Sequence, residues 1–523
     1  MTNSEKQVQQ KEIFGHPVGL YVLFLTEMWE RFSYYGMRGL LSLYMAAELV
    51  GDDRGPGLGW TDAEAIKLYG WYTMLVYVMS IPGGMIADKF IGQKKSVLIG
   101  AIILVLGHGT LAIEEMWAFY TGLILIILGV GMLKPNISTM VGGLYKPGDI
   151  RRDKGFSIFY IGINTGSLLA TTIVGLVVAK WGWHAGFGLA GIGMLFGLLV
   201  YVWGQKYLVH VGNKTEESEK KDQVSLSEVF KNLIASPMHL AIVVVLIAVS
   251  VYYAGFVMTG VDHWGYAALF VFLSLVVGML MMIYKSLRSQ VEKDRFLVVL
   301  LSFLLVIVFW GAFEQAGGLM NLYAENKTNR MLFGWEVPTI WFQSLNAGFI
   351  ILFAVTVANY WAKRKLKNKE ASSLFKMATG TIIMGLGFVF MVFAVRDFNE
   401  NGSSGMYWLV LAYFFHTIGE LCSSPVSLSF VTKLAPVRYA SLMMGLYFAS
   451  TGLGNKVAGI LGENASEYGE YTIFVSITIF TVIFGLLVIT ILKPLKRLTH
   501  GAEDNEGTFN EEAEGFELAD GEN

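Results

Sequence analysis

Runs of about 20 apolar residues recur from one end of the chain to the other, separated by short polar connections. A run of that length crosses a bilayer as a helix. The pattern predicts about fourteen spans, near 19–48, 62–90, 95–113, 116–145, 154–180, 184–208, 238–258, 264–286, 295–323, 338–362, 373–395, 405–434, 438–463 and 469–493. The longest polar connection, 209–237, contains VGNKTEESEKKDQ and follows a six-span block at 19–208. Two further spans (238–290) and a second six-span block (291–495) come after it. A polar stretch at 1–18 precedes the first span, and a Gly-rich acidic tail at 496–523 has a composition that predicts disorder. The expected fold class is an all-α polytopic membrane protein.

Composition agrees with that pattern. Of the 523 residues, 54% are hydrophobic and only 15% charged, where soluble domains carry about 25% charged residues. Mean hydropathy is +0.53. Glycine, at 59 residues, suits helices that approach closely in lipid. A net charge of −2 gives no field for nucleic acid, and the single Cys422 excludes an intrachain disulfide. The N-terminus lacks a signal-peptide pattern, so the first span is expected to act as an uncleaved anchor. Alternate connections hold Lys89, Lys94 and Lys95; Arg151, Arg152 and Lys154; Lys285, Arg288, Lys293 and Arg295; and Lys363, Arg364, Lys365, Lys367 and Lys369. The opposite set carries Asp52–Asp53, Glu114–Glu115 and Glu463–Glu470. The positive-inside rule places the basic set, with both termini, in the cytoplasm.

Against this apolar background the charges inside spans stand out. The first span carries Glu27, Glu30 and Arg31 at helical spacing i, i+3, i+4, and Tyr34, Tyr35 and Arg38 extend the same stripe. Ionisable groups within a membrane are costly and mark substrate or proton paths. Lys134, Glu314 and Glu420 are the other deep charges, with Lys456 nearer the outer side as a gate or packing group. His108 and His416 invite a proton-relay reading, but packing against a neighbouring helix is favoured for His108. No metal-ligand cluster, nucleotide loop or nucleophile–base set appears. The chain is therefore read as a transporter, without enzyme activity, cofactor or metal site.

Several motifs carry a resemblance. GGMIADKFIGQKK at 83–95 resembles the loop signature of the major facilitator superfamily. EMWERFSYYGMR at 27–38 resembles the ExxER segment of the proton-dependent oligopeptide transporters. GFSIFYIGINTGS at 155–167, FFHTIGELCSSP at 414–425, LKPN at 133–136 and FWGAFEQ at 309–315 resemble further signatures of that family, in the expected order. The resemblance implies a facilitator fold of two six-helix halves with two inserted helices, as in bacterial members. It also implies proton-coupled import of di- and tripeptides across the inner membrane by alternating access.

On the matching positions, the resemblance implies proton coupling through Glu27, Glu30, Arg31, Lys134 and Glu314. It implies substrate contacts at Tyr35, Arg38, Tyr77, Lys134, Tyr160, Asn164, Trp310, Asn346, Glu420 and Ser424. One cavity wall would be cationic and the other anionic, which fits a zwitterion: Arg38 and Lys134 face the carboxylate, Glu420 the ammonium. Phenols and amides would hold the peptide backbone without reading its side chains. Glu314 is expected to pair with Lys134 across the two halves and close a gate. Two departures are visible. No histidine stands near the start of the second span, so coupling rests on carboxylates; and Tyr447 stands where tryptophan is frequent. The alternative is a facilitator for another small anionic or zwitterionic solute, such as nitrate, an amino acid or a drug. The ExxER segment and the two-signed charge set argue against a multidrug exporter.

Overall fold

The computed structural model describes residues 11–145, 149, 151–212, 226–252, 263–436 and 439–502. The first ten residues, most of the 209–237 connection and the acidic tail beyond 502 lie outside the described residues. The main helices are α1 (Val18–Ala46), α2 (Asp62–Val78), α3 (Gln93–Leu111), α4 (Met116–Gly143), α5 (Arg151–Trp181), α6 (Trp183–Gly204), α7 (Pro237–Tyr252) and α8 (His263–Ser286). They continue with α9 (Gln290–Phe313), α10 (Trp341–Leu366), α11 (Ser373–Asn401), α12 (Met406–Leu434), α13 (Ala440–Glu463) and α14 (Glu470–Thr490). Each expected span overlaps one of them.

Among the described residues, ten helices are long and apolar enough to cross a membrane on length and composition alone. The other four show what that criterion misses. α1 carries four charges along its length. α2 breaks at Met79 and resumes as Ser80–Ile86. α7 is apolar over Pro237–Val249 only. α13 is rich in Gly, Ser and Thr. α2 starts on a capping box, in which Thr61 Oγ1 accepts from the Glu64 N–H and the Glu64 side chain accepts from Thr61 N.

Two compact units divide the chain. One comprises Met1–Ser218, Phe303–Ser427 and Tyr447–Thr490; the other comprises Glu219–Ser302, Leu428–Leu446 and Ile491–Asn523. Within the first unit, glycines set the closest helix crossings. A Cβ on Gly100 of α3 would lie 2.8 Å from the Gly129 carbonyl of α4, and one on Gly122 would lie 2.9 Å from that of Gly107. Only glycine allows backbones this near. α11 and α12 repeat the device: a Cβ on Gly380 would lie 2.6 Å from the Gly419 oxygen. α4 and α12 also each contain a proline, Pro135 and Pro425. The two blocks of six helices thus share a packing solution as well as a count.

In the second unit, the Ser286 and Tyr439 hydroxyls meet at 2.6 Å. Arg295 donates to the carbonyls of Thr499 and His500, fastening the C-terminal turn to the start of α9.

Short paired strands, which helical periodicity does not register, pin the loops of the first unit. Glu12–Ile13 pairs with His16–Pro17, Met331–Leu332 with Trp335–Glu336, and Thr328–Asn329 with Ser404–Gly405. The last pairing is held by Asp397, at the end of α11. Its carboxylate accepts from Gly405 N at 2.9 Å, Asn401 Nδ2 at 2.8 Å and Trp408 Nε1 at 3.0 Å. The Gly405 backbone N–H, then Asn401 and Trp408, hold this carboxyl below its ordinary range. Asp397→Ala is expected to cost about 1 kcal/mol, read as a lower thermal midpoint. Because the folded-state value is depressed, the contribution is present at neutral pH. It is lost as pH falls below the unfolded Asp value of about 4. The wild-type–variant gap should therefore narrow in acid, and a gap independent of pH counts against the assignment.

Candidate functional site

The site grows from α1. Glu27, Glu30 and Arg31 are all buried, at 2%, 0% and 3% exposure. Arg31 Nε lies 3.1 Å from Glu27 Oε1 and is also in ion-pair contact with Glu30. These contacts are charge neighbours rather than aligned hydrogen bonds, for both Glu30 oxygens and Arg31 Nε lack a hydrogen-bond partner. Two carboxylates share one guanidinium away from bulk water, and Lys134 is a further cation that acts on them. The Arg31 guanidinium also lies 5.3 Å from the Tyr34 ring centroid.

Two turns further on, Arg38 Nη2 meets Glu314 Oε1 at 2.7 Å. Tyr69 of α2 completes the contact. Its hydroxyl accepts from Arg38 Nε at 2.6 Å and donates to Glu314 Oε1 at 2.7 Å. All three side chains are buried. Glu314 stands where α9 loses its regular winding: Glu314–Ala316 forms a tighter turn, and helix resumes only at Leu319–Lys327, after Gly317 and Gly318. The break releases carbonyls for use elsewhere. Ser42 donates to Gly317 O at 2.7 Å and Tyr413 to Ala316 O at 3.3 Å. Discontinuous helices line ligand sites in transporters for this reason.

The expected Lys134–Glu314 pair is not formed. Lys134 Nζ instead lies 3.8 Å from the Tyr77 ring centroid, while the break at Gly317–Gly318 sets Glu314 level with Arg38. Arginine presents a planar fork that can serve Glu314 and Tyr69 together, which an ammonium does less well.

Across from Arg38, Asn346 Nδ2 donates to Glu420 Oε2 at 2.7 Å and to Thr417 Oγ1 at 3.1 Å. A narrow cavity of about 50 Å³ runs between the two sides. Of the expected residues it brings together Tyr35, Arg38, Tyr77, Trp310, Glu314, Asn346 and Glu420. Lys134, Tyr160, Asn164 and Ser424 do not line it. Asn164 turns its amide back to the Tyr160 carbonyl at 3.0 Å, and Ser424 Oγ is buried without a partner. Glu27, Glu30 and Arg31 form their own cluster beside the cavity.

Sequence reasoning missed Ser167, Thr171, Gln343 and Tyr413, which line the cavity beside Tyr34 of the α1 stripe, and Tyr69, which bridges its ion pair. Each is a common residue in an apolar helix, and only the spatial partner distinguishes it. His416 borders the cavity, but its ring packs on Phe388 at 4.4 Å. His108 is fully buried with neither ring nitrogen hydrogen-bonded, in a setting of pure packing. Lys456 is also buried, its Nζ 4.2 Å from the Trp71 ring.

The chain matches the family profile PTR2, described as the POT family, over residues 94–473. The peptide transporter YePEPT of Yersinia enterocolitica is 38% identical over 509 residues, covering 94% of this chain and 97% of the relative. A di-/tripeptide transporter of Lactococcus lactis is 34% identical, covering 94% and 98%. The crystal structure of a peptide transporter POT in complex with sulfate superposes with a TM-score of 0.80 at 34% identity, covering 94% of this chain and 97% of that one. A POT family transporter in complex with a thioalcohol-conjugated peptide has a TM-score of 0.76 at 32% identity, covering 93% and 98%. The helices are those of a major facilitator fold, in an integral membrane transporter rather than an enzyme. This chain belongs to the POT family.

Proposed function

We propose that this chain is a proton-coupled symporter that imports di- and tripeptides across the bacterial inner membrane, its basic loops and both termini on the cytoplasmic side. The observation that carries this reading is the charge layout of one narrow cavity. Arg38, tied to Glu314 through a shared Tyr69, stands on one side of it, and Glu420, steadied by Asn346, stands on the other. A peptide carries a carboxylate at one end and an ammonium at the other. Its carboxylate competes with Glu314 for Arg38, and its ammonium replaces the Asn346 amide at Glu420. Backbone-directed phenols and amides leave the peptide's side chains unread, which suits broad specificity. Relatives named as peptide transporters point the same way.

Coupling follows from charge balance. When the substrate carboxylate takes Arg38, Glu314 is left as a buried carboxylate without its counterion, a state costly enough to demand a proton. Tyr69, already donating to Glu314, is placed to hold that carboxyl while Arg38 changes partner. Proton uptake at the Glu27–Glu30–Arg31 cluster, where two carboxylates share one guanidinium, acts in the same sense. Lys134, between that cluster and Tyr77, adds the second cation for the substrate carboxylate. The halves 19–208 and 291–495 then rock about the cavity. Inward proton movement supplies about 2.3 kcal/mol per 100 mV of membrane potential, with the pH difference in addition.

The direct test is uptake into proteoliposomes. An imposed inside-alkaline gradient should drive dipeptide accumulation without ATP, and an uncoupler should abolish it. Glu314→Gln is expected to retain dipeptide counterflow and lose accumulation against a gradient. Normal pH-driven accumulation in that variant would remove Glu314 from the coupling path.

Arg38→Ala should reduce the preference for free over C-terminally amidated dipeptide by about tenfold or more, the equivalent of one charge-assisted hydrogen bond. An unaltered preference places the peptide carboxylate elsewhere.

A further inference from the structure

A second cavity lies at the face opposite the basic loops. It holds about 380 Å³, several times the space of the central cavity and within the usual range for small-molecule sites. Ile340 separates the two. Its side chain sits on α1 at Gly39, where an added Cβ would come within 2.5 Å of Ile340 Cδ1, and it fills a like notch at Gly175 of α5. Ile340 lines the larger cavity, and Gln343, a turn later, lines the central one.

The larger cavity has both apolar and charged walls. Leu40, Leu43 and Val178 supply apolar surface, while four carboxylates face two guanidiniums. Arg54 is taken by Asp52 at 2.8 Å and Glu325 at 2.7 Å. Arg330 is taken by Glu336 at 2.8 Å and Glu325 at 3.4 Å. Asp53 is exposed and, among the described residues, has no ion-pair partner. The Glu336 side chain is 62% exposed and so remains open to a second cation. One unmet donor belongs to the same wall. Trp183 is 1% exposed, stacks under the Arg54 guanidinium at 4.2 Å, and keeps its indole Nε1–H without an acceptor. The cavity therefore has spare acceptors for a cation at its rim and a spare donor for a carbonyl in its wall.

We propose that this cavity is a second peptide-binding site, an antechamber that captures cationic di- and tripeptides before Ile340 moves aside. The inference rests on the peptide-import reading above. A Lys or Arg side chain, or the terminal ammonium, binds at Asp53 and Glu336, and a peptide carbonyl accepts from Trp183. The negative excess acts within the screening length of physiological salt, so it raises the local concentration of cationic peptides relative to anionic ones. Selectivity among side chains then arises at this antechamber rather than in the central cavity.

The test measures initial uptake of Ala-Lys and Ala-Glu from outside by cells making the full-length protein. The ratio of their kcat/KM values is the readout. Asp53→Asn should lower the Ala-Lys to Ala-Glu ratio about threefold, and Asp53→Asn with Glu336→Gln about tenfold. Neither residue takes part in the Arg54–Glu325 pair, and a changed opening rate alone would scale both peptides equally. An unchanged ratio in both variants therefore overturns the proposal. Ala179→Trp, which fills the cavity and leaves every charge in place, should raise KM for both peptides about threefold through lost binding space. An unmoved KM in that variant, with the protein shown intact by its melting profile, overturns the binding site as well. Wild-type cells without saturable peptide uptake would instead refute the import reading itself.

Discussion

Everything in the central site depends on one constraint: a charge held away from water must keep a partner. Arg38 and Glu314 satisfy it for each other, at 2.7 Å, with Tyr69 sharing both. Removing either charge without replacing it strands the other, at a cost of about 3–5 kcal/mol. That cost makes the pair a switch. Any event that occupies Arg38 must neutralise Glu314, and any event that neutralises Glu314 frees Arg38. On the proposed function, substrate and proton need not touch to act on one another, since both would be read through the same pair.

The backbone around that pair prepares it for exchange. An unbroken helix through 314–318 would spend its carbonyls on its own turns. Because α9 unwinds at Gly317–Gly318, its freed carbonyls accept from Ser42 and Tyr413. The same break sets Glu314 beside Arg38. Asn321, just beyond, donates to Gly39 O and to Ser42 Oγ, each at 3.0 Å. One local irregularity thus positions the carboxylate and also ties α9 to α1.

The sequence revealed the class of the molecule and the charged residues, but little of their pairing. Fourteen apolar runs became fourteen helices because hydropathy is a local property. The stripe Glu27–Glu30–Arg31 was legible because helical spacing places its members together. Glu314 was recognisable as a buried charge, yet the sequence pointed to Lys134 as its partner, whereas the structure pairs it with Arg38. The choice was made by the Gly317–Gly318 break and by the Tyr77 face that occupies Lys134. Neither leaves a periodic trace. Tyr69 was hidden for a related reason, as one of 24 tyrosines whose role comes from two partners, one of them 245 positions away. The short paired strands at 12–17 and 328–336 were missed because two-residue ladders are too brief for period-two alternation to appear.

Magnitudes decide how tightly the face opposite the basic loops can close. Besides the Ser42 and Asn321 contacts, Trp341 Nε1 donates to Thr172 O at 3.0 Å, and the hydroxyls of Thr171 and Ser344 meet at 2.5 Å. Neutral hydrogen bonds contribute about 1 kcal/mol each in net terms, and the partly exposed Arg54–Glu325 pair about as much. Together they amount to about 6 kcal/mol, and on the proposed coupling one inward-moving proton supplies about 2.3 kcal/mol of that per 100 mV of membrane potential. A closure built from large apolar burial would exceed that supply and hold the carrier shut. Many small polar ties, with one isoleucine seated on two glycines, give a seal that, on the proposed function, the proton gradient helps to break and remake in each cycle.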